Sequence, residues 1–169
     1  MGGLVAVLLA QRQPSSILSL TSIKGNLAPE DCFLSRQILE YPAEEADEEA
    51  FVDEFVTRTR QSGLYGSGLY AASFRAKVQA GAVRPTFESM VEFTDEANLL
   101  QIFEGFTFPR MCMFGEQYAS LSYLPRLIQA GVEVSEIAHS GHFVLYSNPV
   151  AAWERMAQFL ARVEYFGRQ

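Results

Sequence analysis

The feature of this chain that most constrains its fold is the alternation of short apolar runs with segments of helical length. The runs 17–23, 110–114 and 132–137 are short and rich in β-branched or apolar residues, as strands are. Helix-like segments cover 2–13, 32–39, 118–130 and the C-terminal part from Asn148. Strands that alternate with helices form parallel sheets, so an α/β fold with about three parallel strands and covering helices is predicted.

The middle of the chain, from Ala43 to about Phe106, has no clear strand pattern. Its apolar residues recur at helical spacing beside an acidic run, as at Phe51 and Phe55. We interpret this block as a helical cap inserted between two strands of one sheet. The predicted organisation is therefore 1–42 for the first part of the core, 43–106 for the cap and 107–169 for the second part of the core.

Composition excludes several classes of protein. The 169 residues are 49% hydrophobic and 20% charged, which predicts a globular chain with a sizeable core. A net charge of −7 argues against nucleic-acid binding. No run is long enough to span a membrane, and the N-terminus lacks the features of a signal peptide. Cys32 and Cys112 form no disulfide framework and have no metal-binding spacing, so a cytoplasmic protein without a metal is expected.

Two short motifs carry chemical information. Ser140-Gly141-His142-Phe143 follows the predicted strand 132–137, and open α/β sheets place functional groups at the carboxyl ends of their strands. A histidine in that position can act as a general base for a nucleophile. At the N-terminus, Gly2 and Gly3 let the start of an apolar helix approach a neighbouring backbone or an oxyanion closely. His139 lacks such a context and is expected to be an ordinary polar residue.

Three motifs, taken in order, resemble the α/β-hydrolases of the cap-bearing kind, which includes esterases, epoxide hydrolases and dehalogenases. Met1-Gly2-Gly3 with its apolar helix resembles the end of the Gly-x-Ser-x-Gly nucleophile turn. The segment 109–116 resembles the strand that leads to the acidic residue, and Ser140-Gly141-His142-Phe143 resembles the histidine loop. The resemblance covers essentially the whole chain and the C-terminal part of the family fold, starting just after the nucleophilic serine. It implies a partial α/β-hydrolase fold.

The resemblance also implies roles for individual residues. His142 matches the general base, and Met1 matches the residue whose backbone N–H donates to the oxyanion. The family position for the acid, in Gly-x-x-Asp, is occupied by Tyr118, which makes Glu116 the first choice to orient His142. Glu116 is explained equally well as the cap of the following helix. The serine has no counterpart in the sequence.

Some relatives carry the acid at a second position, the end of the strand before the cap. This chain has Lys24 and Asn26 there, with Glu30 and Asp31 a little further along. Neither Lys24 nor Asn26 is a carboxylate, so Glu116 remains the first choice.

The implied activity is hydrolysis of an ester or similar bond in a small apolar substrate by a parent enzyme, through a Ser-His-acid triad and without a cofactor. Phe33, Tyr118 and Phe143 are expected to line the substrate pocket. The chain alone is expected to be inactive, because loss of a triad member abolishes most of the rate. The alternative is a non-catalytic fragment or binding protein that retains this half of the fold and associates with itself through an exposed sheet edge.

Overall fold

A computed structural model describes residues 1–39, 47–63 and 65–166 of the chain. The helices are α1 (Gly2–Arg12), α2 (Phe33–Leu39), α3 (Glu48–Gln61), α4 (Tyr65–Lys77), α5 (Val83–Glu96), α6 (Leu99–Gly105), α7 (Leu124–Gln129), α8 (Val144–Ser147) and α9 (Pro149–Phe166). The strands are β1 (Leu20–Ile23), β2 (Arg110–Gly115) and β3 (Glu133–Ile137). Among the described helices, none is both long and apolar enough to cross a lipid bilayer. The first residues of the predicted cap, 43–46, lie outside the described residues.

The three strands form one parallel sheet in the order β1-β2-β3, which confirms the predicted fold class. Ser22 lies opposite Cys112, and Cys112 lies opposite Val134. Along β2, Cys112 and Phe114 pack into a core with residues of α1, α6 and α7, whereas Met111 and Met113 pack with residues of α8 and α9. The sheet is therefore covered by helices on both faces, as parallel sheets require. The carboxyl ends of all three strands lie at the same end of the sheet, which is called its carboxyl edge.

The described residues between β1 and β2 form helices and the loops that join them, and none of them forms a strand. Helices α3, α4 and α5 bury a cluster of their own, separate from the two clusters on the sheet. This cluster contains Val52, Val56, Ala71, Ala80 and Val83. The division into two core segments and a cap stays a prediction, since a separate buried cluster alone does not define a domain.

The helix predicted for 118–130 is shorter than expected. A single 3-10 turn covers Glu116–Tyr118, and the α-helix spans only Leu124–Gln129. Pro125 lies in the first turn of α7, where its missing N–H leaves no helical hydrogen bond unmade. The proline therefore sets the beginning of the helix, and the residues before it form turns.

The helical spacing of apolar residues in the last helix predicts a stripe formed by Val150, Trp153, Met156, Ala157, Leu160 and Val163. This prediction is wrong in part. Val150, Trp153 and Leu160 are exposed, whereas Ala152 and Phe159 are buried among the methionines of β2. The small side chain of Ala152 allows α9 to pack closely on the sheet, so the buried face is rotated from the one that the largest apolar residues suggest.

Two glycines fix the start of α1 against the exit of β1. A Cβ atom added at Gly3 would lie 2.7 Å from the Cα of Gly25, and one added at Gly25 would lie 3.1 Å from the Cα of Gly3. The two backbones thus pack directly against each other, so the close approach that the sequence predicted for Gly2 and Gly3 is made by Gly3. By contrast, a Cβ atom at Gly2 would meet nothing within 4 Å. This contact holds Met1 beside the residues that follow β1.

We expect Gly3→Ala to lower the free energy of unfolding by about 1–3 kcal/mol, because the added methyl group collides with backbone that cannot rotate away. Gly2→Ala is the matched control and should change the free energy by less than about 1 kcal/mol, towards stabilisation. Equilibrium unfolding in urea measures both. Equal effects of the two substitutions would contradict the close packing of Gly3 on Gly25.

The described sheet has two outer strands, β1 and β3, and the edge at β1 is open. Within the described residues β1 pairs with β2 alone, through the N–H groups of Leu20 and Lys24, which donate to Pro109 and Met113. The backbone N–H groups of successive residues in a strand point alternately to the two neighbouring strand positions. The N–H groups of Thr21 and Ile23 therefore point away from β2, towards the open edge. Exposed Val5 and Leu9 of α1 add apolar surface. Such an edge favours pairing with another strand.

We expect the chain to self-associate through this edge, and Thr21→Pro to reduce that association without breaking the β1–β2 ladder. Thr21→Val keeps both the N–H group and the shape of the side chain, so it should associate like the unsubstituted 169-residue chain. Size-exclusion chromatography with light scattering over a range of concentrations measures the effect. A folded Thr21→Pro protein that associates as before would rule out this edge as the contact.

Candidate active site

A cavity of about 490 Å³ lies at the carboxyl edge of the sheet. Its floor comes from Met1 and from residues that follow each strand: Lys24 and Asn26 after β1, Gln117 and Tyr118 after β2, and His142 and Phe143 after β3. Its opposite wall consists mainly of aromatic residues from α3, α4 and α5: Phe51, Phe55, Tyr70, Phe74 and Phe87. The cavity thus lies between the sheet and the inserted helices.

The loop that carries His142 is fixed at both ends. Gly115 ends β2 against the backbone of Ser140 and Gly141, and a Cβ atom there would overlap their carbonyl oxygens. The N–H of Gln117 donates to the carbonyl of Ser140 at 3.3 Å. On the other side, the Asn148 amide donates to the carbonyl of Ala138 at 3.0 Å. The end of β2 and the start of α9 therefore hold the loop in place.

The imidazole of His142 lies between aromatic rings. Its centroid is 4.9 Å from that of Phe143 and 6.1 Å from that of Tyr118, both in edge-on arrangements. His142 is partly exposed to solvent at the cavity, and the protein packed around the ring buries the rest of it. This burial, followed by the positive charge of Lys24, lowers the pKa of His142 to about 4. The ring is therefore neutral at pH 7 and able to accept a proton.

The three residues predicted to line a pocket all line this cavity. Tyr118 lies beside His142, and burial raises the pKa of its hydroxyl. Phe143 stacks on Tyr70 with ring centroids 3.4 Å apart, and this contact joins the histidine loop to α4. Phe33 lies at the start of α2 with an exposed side chain. Met1 lines the cavity as well, so the structure brings the predicted oxyanion residue and the predicted base to one site.

Glu116 is not among the residues that line the cavity. Its carboxylate lies 3.9 Å from Nδ1 of His139, and both side chains are largely exposed. The structure therefore does not bring Glu116 to His142, and its role as the orienting acid stays a prediction without a supporting contact. In the described part of the chain, His142 makes no hydrogen bond to protein, and no cluster of potential metal ligands is present.

Lys24 is a site residue to which the sequence analysis assigned no role. It adopts a left-handed conformation with φ of 43° directly after β1, and its side chain is only 4% exposed. Its Nζ donates to Oδ1 of Asp31 at 2.5 Å and lies 4.5 Å from the centre of the Tyr118 ring. Lysine is rarely buried without a partner, but a single lysine gives no sequence pattern from which to predict this position.

Asp31 is held by four donors. Besides Lys24, it accepts hydrogen bonds from the N–H groups of Leu27 and Ala28 and from the hydroxyl of Tyr123. Glu30, which also lines the cavity, accepts from the backbone N–H and the hydroxyl of Ser122. Both carboxylates near the end of β1 are therefore already bound.

Neither a protein-family model nor a curated protein sequence matches this chain. Solved structures do match it. A loop variant of the haloalkane dehalogenase from Bradyrhizobium elkanii gives a TM-score of 0.64 at 18% sequence identity, over 98% of this chain and 66% of the dehalogenase. VinJ gives a TM-score of 0.51 at 14% identity, over 95% of this chain and 63% of VinJ.

Both of these proteins are α/β-hydrolases, and this chain spans slightly less than two thirds of their length. At such low identity, the likeness concerns the fold and not the activity. The expected partial fold is nevertheless confirmed by the parallel sheet, the helices on both of its faces and these matches. This chain has the fold of the α/β-hydrolases, over the part of that fold which its residues cover.

Proposed function

We propose that this chain supplies the histidine-bearing part of a serine hydrolase site, with His142 as the general base. The substrate is a small, largely apolar molecule with an ester or similar bond. In the parent enzyme, a serine directly before Met1 attacks the carbonyl group, His142 takes the serine proton and later gives a proton to the leaving group. The backbone N–H of Met1 contributes to the oxyanion hole. The chain alone is inactive, since it lacks that serine.

The observation that carries this proposal is the meeting of Met1 and His142 at one enclosed aromatic cavity. Met1 begins a helix at the carboxyl edge of the sheet, and His142 follows the last strand at the same edge. The neutral imidazole has the protonation state that a general base needs. The aromatic wall fits an apolar acyl or alcohol group.

The alternative is a binding protein that keeps the cavity without the chemistry. One observation favours it: the carboxylates that line the cavity are bound by other groups, and Glu116 lies outside. A base without an orienting acid loses much of its effect, because the ring is not held in the productive tautomer.

We expect His142 to titrate with a midpoint near pH 4, because burial and the charge of Lys24 lower its pKa to about 4 from the ordinary value of 6.5. The unfolded chain binds more protons between these values. The residue therefore destabilises the folded chain progressively as the pH falls from about 6.5 to 4, with no effect above that window. NMR of the imidazole protons, assigned with His142→Asn, measures the midpoint. A midpoint near 6.5 would contradict the described environment.

In the proposed parent polypeptide, we expect His142→Asn to lower kcat for p-nitrophenyl butyrate by about 10⁴-fold or more. His139→Asn is the matched control. It makes the same change three residues earlier, at an exposed left-handed position that asparagine tolerates, and should leave kcat nearly unchanged. Steady-state kinetics measure both variants.

The same assay on the 169-residue chain should give no turnover above background. Turnover that His142→Asn abolishes would place the nucleophile within this chain and overturn the proposed arrangement. A parent polypeptide that is folded, binds the ester and does not hydrolyse it would support the alternative.

A further inference from the structure

We propose that the cavity binds ligands that combine an apolar body with one carboxylate, and that Nζ of Lys24 holds the carboxylate. This inference rests on the proposed function in that it names the substrate class of the same site. The carboxylate belongs either to the substrate, at a distance from the bond that is cut, or to the acid that hydrolysis releases. Both sources present the same chemistry to Lys24.

Lys24 has unused capacity to donate. An ammonium group has three N–H donors, and Asp31 is its one hydrogen-bond acceptor among the described residues. A second side of the group faces the ring of Tyr118 at 4.5 Å. A third donor therefore remains at the cavity, where Lys24 is a lining residue although its side chain is almost completely buried.

The charge of Lys24 is only partly neutralised by Asp31. The Asp31 carboxylate also accepts hydrogen bonds from two backbone N–H groups and from the hydroxyl of Tyr123. Its acceptor positions are therefore filled, and its negative charge is shared among these donors and Lys24. The effect on the neighbouring imidazole agrees with this geometry, because Lys24 lowers the pKa of His142 more than Asp31 raises it. The His142 imidazole, which lines the same cavity, therefore experiences more of the positive charge of Lys24 than of the negative charge of Asp31, and the carboxylate of Glu30 is bound to Ser122.

The rest of the cavity limits what else the ligand can carry. Its far wall is built from phenylalanine side chains, and its volume of about 490 Å³ suits one small molecule. A ligand without an acceptor would displace water from the ammonium group and leave the third N–H without a partner, which is costly in a buried site. A neutral carbonyl would accept only a weaker hydrogen bond than a carboxylate does. A carboxylate replaces that water with a charge-assisted hydrogen bond, and the aromatic wall accepts the apolar remainder.

The test compares 4-phenylbutyrate with 4-phenylbutyramide, a neutral molecule of the same shape, by NMR titration of the 169-residue chain at pH 7. The acid should bind at least tenfold more tightly than the amide. Lys24→Met should remove this preference, and Lys24→Arg should keep most of it. Equal binding of acid and amide, a preference that survives Lys24→Met, or no saturable binding of the acid to the folded chain would each overturn the proposal. If the preference for the acid survives in Lys24→Met, the positively charged group that binds the carboxylate is instead the amino group of Met1.

Lys24→Met leaves Asp31 buried without its cation, which can prevent folding. The double variant Lys24→Met/Asp31→Asn removes both charges and should fold without the preference for the acid. Asp31→Asn alone keeps the cation and should bind the acid more tightly than the unsubstituted 169-residue chain does. Weaker binding of the acid by folded Asp31→Asn would contradict the partly neutralised charge.

Two further measurements separate the sources of the carboxylate and the two proposals. Monobenzyl succinate carries both an ester and a free carboxylate. If it binds more tightly than 4-phenylbutyrate, Lys24 serves a substrate carboxylate; if not, Lys24 serves the released acid. Binding needs no nucleophile, so the preference for acids can hold in this chain even if the parent does not hydrolyse esters. Conversely, hydrolysis that depends on His142 without a preference for acids would refute the Lys24 proposal alone.

Discussion

The pairing of β2 with β1 on one side and β3 on the other is the constraint on which the rest of the structure depends. Because all three strands run in the same direction, their following loops meet at a single edge. Lys24, Tyr118 and His142 are far apart in sequence and become neighbours only through this register. Backbone contacts then fix the loops more closely: Gly3 packs on Gly25, and Gly115 packs on the loop before His142. The positions of Lys24 and His142 therefore depend on close contacts between glycine residues and the neighbouring backbone.

The electrostatics of the cavity differ from those that the family resemblance implies. The position after β1, where some relatives have an acid, holds a buried cation, and the carboxylate further along the chain serves as its partner. The histidine is thus surrounded by aromatic rings and a positive charge, both of which favour its neutral form. Such a site keeps the imidazole unprotonated and free to act as a base, but it opposes the positive charge that the ring would then carry. Among the described residues, no carboxylate is hydrogen-bonded to the ring to stabilise that charge.

The sequence predicted the parts of the fold that follow from local patterns. Apolar runs of strand length, the helix start at Asn148-Pro149 and the glycine pair at the N-terminus all carried their signal within a few residues. Packing choices were not predictable in this way: α9 turns Ala152 inward and Trp153 outward because the sheet needs a small residue at the contact. The cavity was predicted only in part. Phe33, Tyr118 and Phe143 followed from their neighbours in sequence, whereas Lys24 and the phenylalanines of α3 and α5 depend on how helices α3–α5 fold back over the sheet.

The stack of Tyr70 on Phe143 has a mechanical consequence. Tyr70 belongs to a helix that roofs the cavity, and Phe143 is the residue next to the histidine. Gly66, one turn earlier on the same helix, packs against the backbone of Tyr146 and ties the two segments at a second point. The helix and the histidine loop are thus joined at two points, so a displacement of either segment would be transmitted to the other.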